Sequence, residues 1–183
     1  YVIKLLGVAK NTEDGIEVKV HPMLIPNNHP LANVNDAFNA VFVHGKAMDD
    51  AMFMGRGAGQ MPTASAVVGD IIDVCRNIVH DSCGRIGCCC YKNLEVKDIT
   101  DTKSKFFLRL EVADKQGVLA NIASVLGNSG VSIAQVVQKS GKDGVAELVI
   151  ITAEVLEKNF NDAMAVFKGL SAVKNIAGVI RVY

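Results

Sequence analysis

The chain has 183 residues, enough for one sizeable hydrophobic core or two small ones. Half of the residues are hydrophobic and 21% are charged, with nineteen basic groups against nineteen acidic ones. That balance excludes the basic excess of a nucleic-acid or membrane-surface binder, and no apolar run reaches transmembrane length.

Nothing at the start has the basic-then-apolar pattern of a signal peptide. The first residues, Tyr1-Val-Ile-Lys-Leu-Leu-Gly7, lie already inside a strand-like run without an initiator Met, as expected of a piece of something longer. Five cysteines, an odd number confined to residues 75–90, do not make a secreted disulfide framework. A reducing cytoplasm is the expected location.

In chain order, residues 3–9 and 16–20 read as strands around the turn Asn11-Thr-Glu-Asp-Gly15. Pro22, Pro26 and Pro30 are expected to keep residues 21–31 extended and irregular. A second pair of strands spans 39–43 and 51–54, and its methionines, with Met61, are expected to pack on the following helix. That helix is expected from Thr63, as its cap, to about residues 79–81, since Ala66, Val67, Ile71, Val74 and Ile78 recur at helical spacing. Residues 82–105 read as a cysteine-bearing linker with at most one short strand near 93–99.

Beyond residue 105 the pattern sharpens. Residues 106–112 alternate apolar and polar, 118–128 carry an apolar helical face, 131–138 and 145–152 read as strands, 156–170 as a helix and 173–182 as a strand. The order is βαββαβ, a ferredoxin-like unit. The fold class is therefore α+β or α/β: a partial mixed-sheet domain over 1–81, the linker 82–105, and this unit over 106–183. So small a core with open sheet edges favours pairing with another copy, a dimer or higher homo-oligomer.

The first turn of that unit, Ala113-Asp-Lys-Gln-Gly-Val-Leu119, opens a helix whose first amides lack intrahelical partners. A small carboxylate fits such a position, with Gly117 permitting close approach and Asp114 receiving an ammonium group. The alternative is that Asp114 merely caps the helix and Gly117 makes the turn. Residues 108–119, followed by Ile122-Ala and Gly130-Val-Ser-Ile133, resemble the ACT domain of amino-acid metabolism. The resemblance implies an allosteric amino-acid site at a domain interface, formed here by Asp114, Gln116, Gly117, Val118 and Leu119 with a partner's strand. Lys115-Gln116 stands where the usual motif has Arg-Pro, so the turn is kept while ligand identity is left open.

The other conspicuous stretch is Gly55-Arg-Gly-Ala-Gly-Gln-Met-Pro-Thr-Ala-Ser-Ala-Val-Val68. It lacks the Lys-Ser/Thr of a phosphate loop, and its third glycine comes one position early for a dinucleotide fingerprint. A glycine-rich exit from a hairpin into a helix is the plain structural alternative. Together with Ile3–Ala9, Val20–Pro26, His29-Pro-Leu-Ala32 and Asn39-Ala-Val41, the stretch resembles the homoserine dehydrogenase family over residues 1–81. With an ACT module behind it, the match is to the C-terminal part of the monofunctional, ACT-bearing form.

The resemblance implies a parent oxidoreductase that interconverts aspartate semialdehyde and homoserine with NAD or NADP, in threonine, methionine and isoleucine biosynthesis, under amino-acid control, threonine first. It places Gly59 against the nicotinamide cofactor through its backbone and assigns no catalytic residue to this piece. The dinucleotide-binding domain and the proton-transferring lysine precede the corresponding region, so these residues alone are expected to be inactive. His21 and His29 read as structural, and Cys83 with Cys88-Cys-Cys90 lacks the second ligand pair of a zinc site; no metal is assigned. The rival reading is a stand-alone ACT-type amino-acid sensor without catalysis.

Overall fold

The computed structural model describes residues 1–85, 87, 93–139, 141 and 143–183. In chain order it contains β1 (Val2–Thr12), β2 (Gly15–Ile25), β3 (Phe38–Gly45), β4 (Asp49–Arg56), α1 (Gln60–Val79), β5 (Lys103–Ala113), α2 (Val118–Asn128), β6 (Ile133–Lys139), β7 (Val145–Thr152), β8 (Val155–Leu156), α3 (Glu157–Gly169) and β9 (Val173–Val182). The mixed α/β class expected from the sequence is the one found. Packing divides the chain into two compact units, Tyr1–Pro26 with Leu94–Tyr183, and Asn27–Asn93.

The first unit is organised by β5. Its alternation buries Phe106, Leu108, Leu110 and Val112 on one face, so that face needs a cover. α2 supplies Val118, Ile122 and Leu126, spaced by four, and α3 supplies Phe160, Ala163 and Phe167. The Phe106 and Phe160 rings stack with centroids 3.7 Å apart and planes 3° from parallel. The sheet runs β1-β2-β9-β5-β7-β6, with β8 on the end of β5. Its β9-β5-β7-β6 portion is the antiparallel layer of the expected βαββαβ unit.

The remaining two strands come from the other end of the sequence. β1 and β2 pair antiparallel along their whole eleven-residue length, longer than the alternation alone indicated. Gly15 turns the hairpin at φ +136°, and a Cβ there would meet the Glu95 carbonyl oxygen at 2.7 Å, so the position admits only glycine. β2 continues through Pro22, where the sequence predicts an extended but irregular segment. The strand tolerates the missing N–H because its ladder to β9 covers only Met23 and Leu24, so Pro22 faces no second neighbour. That short parallel ladder, with Tyr183 N–H donating to the Leu24 carbonyl at 2.9 Å, ties the N-terminal hairpin into the C-terminal sheet. Packing therefore groups residues 1–26 with 94–183, whereas sequence character grouped them with 27–81.

Ionic contacts reinforce the tie. Lys19 Nζ donates to the Lys103 carbonyl at 2.7 Å and to Ser104 Oγ at 3.0 Å. Ser104 Oγ donates to Glu157 Oε1 at 2.8 Å, and Arg181 donates to both Glu157 oxygens at 2.6 and 2.7 Å. The other face of the hairpin carries Ile3, Leu5, Val18 and Val20, all exposed.

In the second unit β3 and β4 pair from Phe38–Arg56 to Gly45–Asp49. His29 caps the short 3-10 turn Pro30–Asn33 by accepting from Leu31 N–H at 3.2 Å, and its ring lies 4.9 Å from that of Phe42. α1 begins at Gln60, three residues before the expected Thr63, with Gly59 as its N-cap and no side-chain cap. Thr63 is already inside, its N–H bonded to the Gly59 carbonyl at 3.1 Å. The expected packing of methionines on this helix is not found: Met48, Met54 and Met61 are exposed, and α1 buries none of its own residues. Between residues 93 and 99 the only strand-like feature among the described residues is a single bridge from Val96 to Ile16.

Replacing Leu110, fully buried at the centre of β5, by Ala is expected to lower stability by about 3 kcal/mol. Urea denaturation of the two chains measures this directly.

Candidate functional site

β5 ends at Ala113, and the chain there is pinned on two sides. Ala113 N–H donates to the Ala172 carbonyl at 2.8 Å, and Asp114 N–H donates to the Gly144 carbonyl at 2.9 Å. Gly117 then turns into α2 at φ +84°, ψ −10°, the left-handed region that favours glycine. The first helical bond runs from Asn121 N–H to the Gly117 carbonyl at 3.0 Å, and among the described residues no side chain caps the helix. Asp114 is thus not the cap that one reading of the sequence made it. Val118 N–H donates to the Lys115 carbonyl at 3.4 Å, and the start of α2 carries the positive end of the helix dipole.

At this place lies a cavity of about 300 Å³. Asp114, Gln116, Gly117, Val118 and Leu119, all singled out from the sequence, line it together with Lys115. Its apolar side comes from Val112 and Leu148, both part of the core. Gln138 also lines it, and the sequence reading did not find that residue. Gln138 pairs with Leu148 in the β6–β7 ladder, which places it on the helix-covered face of the sheet. Only the register reveals this, and register is not readable from one strand alone. The lining combines one carboxylate, one ammonium group, two side-chain amides and a helix start over an apolar floor, a set suited to a small polar zwitterion.

The glycine stretch divides by position. Gly57 N–H donates to the Ala37 carbonyl at 2.9 Å, and a Cβ on Gly57 would run into the side-chain amide of Asn39. This is the hairpin-exit role. Gly55 has open space around it. Gly59 is exposed, holds φ +121° and ψ 145°, and starts α1 with no side-chain cap. A Cβ there would approach Pro62 Cδ to 3.3 Å. Gly59 and the cavity at Asp114 belong to different compact units.

Of the histidines raised from the sequence, His29 is occupied as a cap and ring partner; elsewhere His44 Nδ1 lies 2.7 Å from Asp50 in an exposed pair. Cys75 and Cys83 are exposed free thiols, and Cys88, Cys89 and Cys90 lie outside the described residues.

Residues 1–72 match the family model for homoserine dehydrogenase, and residues 100–181 match the model for the ACT domain. A homoserine dehydrogenase of Pseudomonas aeruginosa is 39% identical over 189 aligned positions covering all of this chain, and one of Corynebacterium glutamicum is 40% identical over 99% of it. Over its whole length the chain is similar to homoserine dehydrogenases. It spans 44% and 41% of the lengths of those two homoserine dehydrogenases. Among solved structures, the homoserine dehydrogenase from Thiobacillus denitrificans superposes with a TM-score of 0.87 at 38% identity, over 99% of this chain and 42% of its own. The S. aureus homoserine dehydrogenase is more distant, at 26% identity and a TM-score of 0.59.

Gly59→Ala is expected to destabilise the fold by about 1–3 kcal/mol, because its dihedrals lie in a region open almost only to glycine. Gly55→Ala, with open space around it, is expected to cost under about 1 kcal/mol. Parallel thermal melts distinguish the two.

Proposed function

We propose that this chain is the C-terminal part of a homoserine dehydrogenase, an enzyme interconverting L-aspartate 4-semialdehyde and L-homoserine with NAD or NADP. Its ACT module is the regulatory site, and the effector is an amino acid, threonine before methionine or isoleucine. The observation that carries the regulatory half is the cavity itself: residues 112–119 line it around a helix start that no side chain caps. The effector's carboxylate takes the first-turn amides of α2, and Asp114 takes its ammonium group.

For the oxidoreductase half, continuous similarity to homoserine dehydrogenases across both sequence segments is the support. The nicotinamide cofactor, when bound, exchanges the hydride. This chain contributes Gly59, whose exposed, side-chain-free backbone fits close approach by a flat ring. No catalytic group is assigned within residues 1–183, and the isolated chain is inactive on this reading. The protein works in the cytoplasm as a homo-oligomer, dimeric or higher. Effector binding shifts the population of two assembly geometries, and residues 82–105 together with β2 carry that bias to the catalytic part.

Isothermal titration of this chain with threonine, methionine, isoleucine and lysine tests the regulatory reading. Heat is expected with threonine, and Asp114→Ala is expected to weaken binding at least about tenfold, the loss of one charge-assisted bond. Absence of heat with all four would reduce the ACT module to a structural part. Replacing Gly117 by Val is expected to abolish binding as well, because its φ of +84° strains any β-branched residue.

A further inference from the structure

Where the N-terminal hairpin meets the C-terminal sheet, Met23, Ile25 and Val182 are buried, and beside them lies a cluster of ionisable groups. Glu157 at the start of α3 is 2% exposed and receives Arg181 from β9 and Ser104 from β5. Lys19 on β2, 7% exposed, lies 3.6 Å from Glu17, and Lys97 reaches the other Glu17 oxygen at 3.9 Å. Two positions along from Lys19, the His21 Nε2 atom has neither solvent access nor a hydrogen-bond partner among the described residues. A buried polar atom left unpaired has a cost, and retaining it here calls for a reason.

The groups around His21 supply one. On its own strand stand Lys19 and Glu17; opposite on β1 is Leu6, with Lys10 further along; β9 offers Arg181, α3 offers Glu157, β5 offers Ser104 and the Lys103 carbonyl, and Lys97 lies before β5. Cations outnumber carboxylates in this cluster. A proton on His21 adds a further positive charge beside Arg181 and Lys19, opposed by burial and favoured by Glu157, which is already engaged by Arg181 and Ser104. The hairpin, meanwhile, holds β9 by a ladder of only two residue pairs. We propose that the cluster is an acid-sensitive clasp: at neutral pH it docks the N-terminal hairpin on the C-terminal sheet, and protonation of His21 releases the hairpin.

The direction of the pH dependence follows from the surroundings. Burial first, and then Arg181, hold the His21 imidazole below its ordinary value. Its contribution to docking is therefore complete above the ordinary histidine range and is lost as pH falls toward the lowered folded value. Burial alone would raise the Glu157 carboxyl, yet the bonds from Arg181 and Ser104 hold it below the usual range. The same bonds favour the ionised form of Glu157 that the seam uses. Because the hairpin has so short a ladder, it opens locally while the β5–β7 core stays closed.

Hydrogen exchange on the 183-residue chain, followed by mass spectrometry from about pH 7.5 to about pH 5.5 and corrected for intrinsic exchange, tests the clasp. Peptides covering β1 and β2 are expected to lose about tenfold in protection on acidification, with β5 and β7 unchanged. His21→Leu is expected to remove this pH dependence, and Glu157→Gln to open the hairpin at both pH values. An unaltered acid response in His21→Leu, or equal loss of protection in β5 and β7, would overturn the proposal. Should Glu157→Gln fail to fold, the NMR titration of the His21 ring decides. A midpoint below about 6.5 supports the clasp, and one at or above that value rejects it.

Discussion

A carboxylate taken out of water must be neutralised where it sits, and much of this architecture serves that requirement at Glu157. Its partners, Ser104 and Arg181, and the next group in the chain of contacts, Lys19, come from three strands separated by most of the sequence. Meeting at one carboxylate, they fix how β2 lies along β9, which few backbone bonds would otherwise define. The ionic cluster is also joined to the apolar core. The Arg181 guanidinium lies 5.6 Å from the centre of the Phe106 ring, and Phe106 in turn stacks on Phe160. Charge pairing and core packing therefore share one set of residues.

The chain's own pattern made the C-terminal βαββαβ unit plain, because β5 and the two helices bury regular apolar stripes that local periodicity exposes. The hairpin around Asp14-Gly15 was equally visible. What stayed hidden was the partner of that hairpin. Lys19 and Glu157 carry no local sign that they will meet through Ser104, and Pro22 makes β2 read as ending at Val20 when it runs on to Ile25. The start of α1 was misplaced for a different reason. Thr63 is a common capping residue, whereas Gly59 caps by backbone geometry alone.

The two candidate sites differ in how they were legible. The cavity residues 114–119 are contiguous, so one loop motif located nearly all of them, and only Gln138 required knowledge of strand register. The glycines at 55, 57 and 59 look equivalent on paper, yet the structure gives them three different circumstances: open space, a blocked approach to Asn39, and a strained dihedral. Only the last lies in the backbone region almost exclusive to glycine while also being exposed.

α1 carries a consequence of its own. It runs for twenty residues and buries none, although Val67, Val68, Ile71, Ile72, Val74 and Ile78 all lie along it. β-Branched residues and Gly69 are mediocre helix formers, and a solitary segment of this length winds only weakly in water. Its coiled state is consequently borrowed from whatever apolar surface it meets, which makes the ellipticity of these twenty residues a gauge of how far the polypeptide has found its complement.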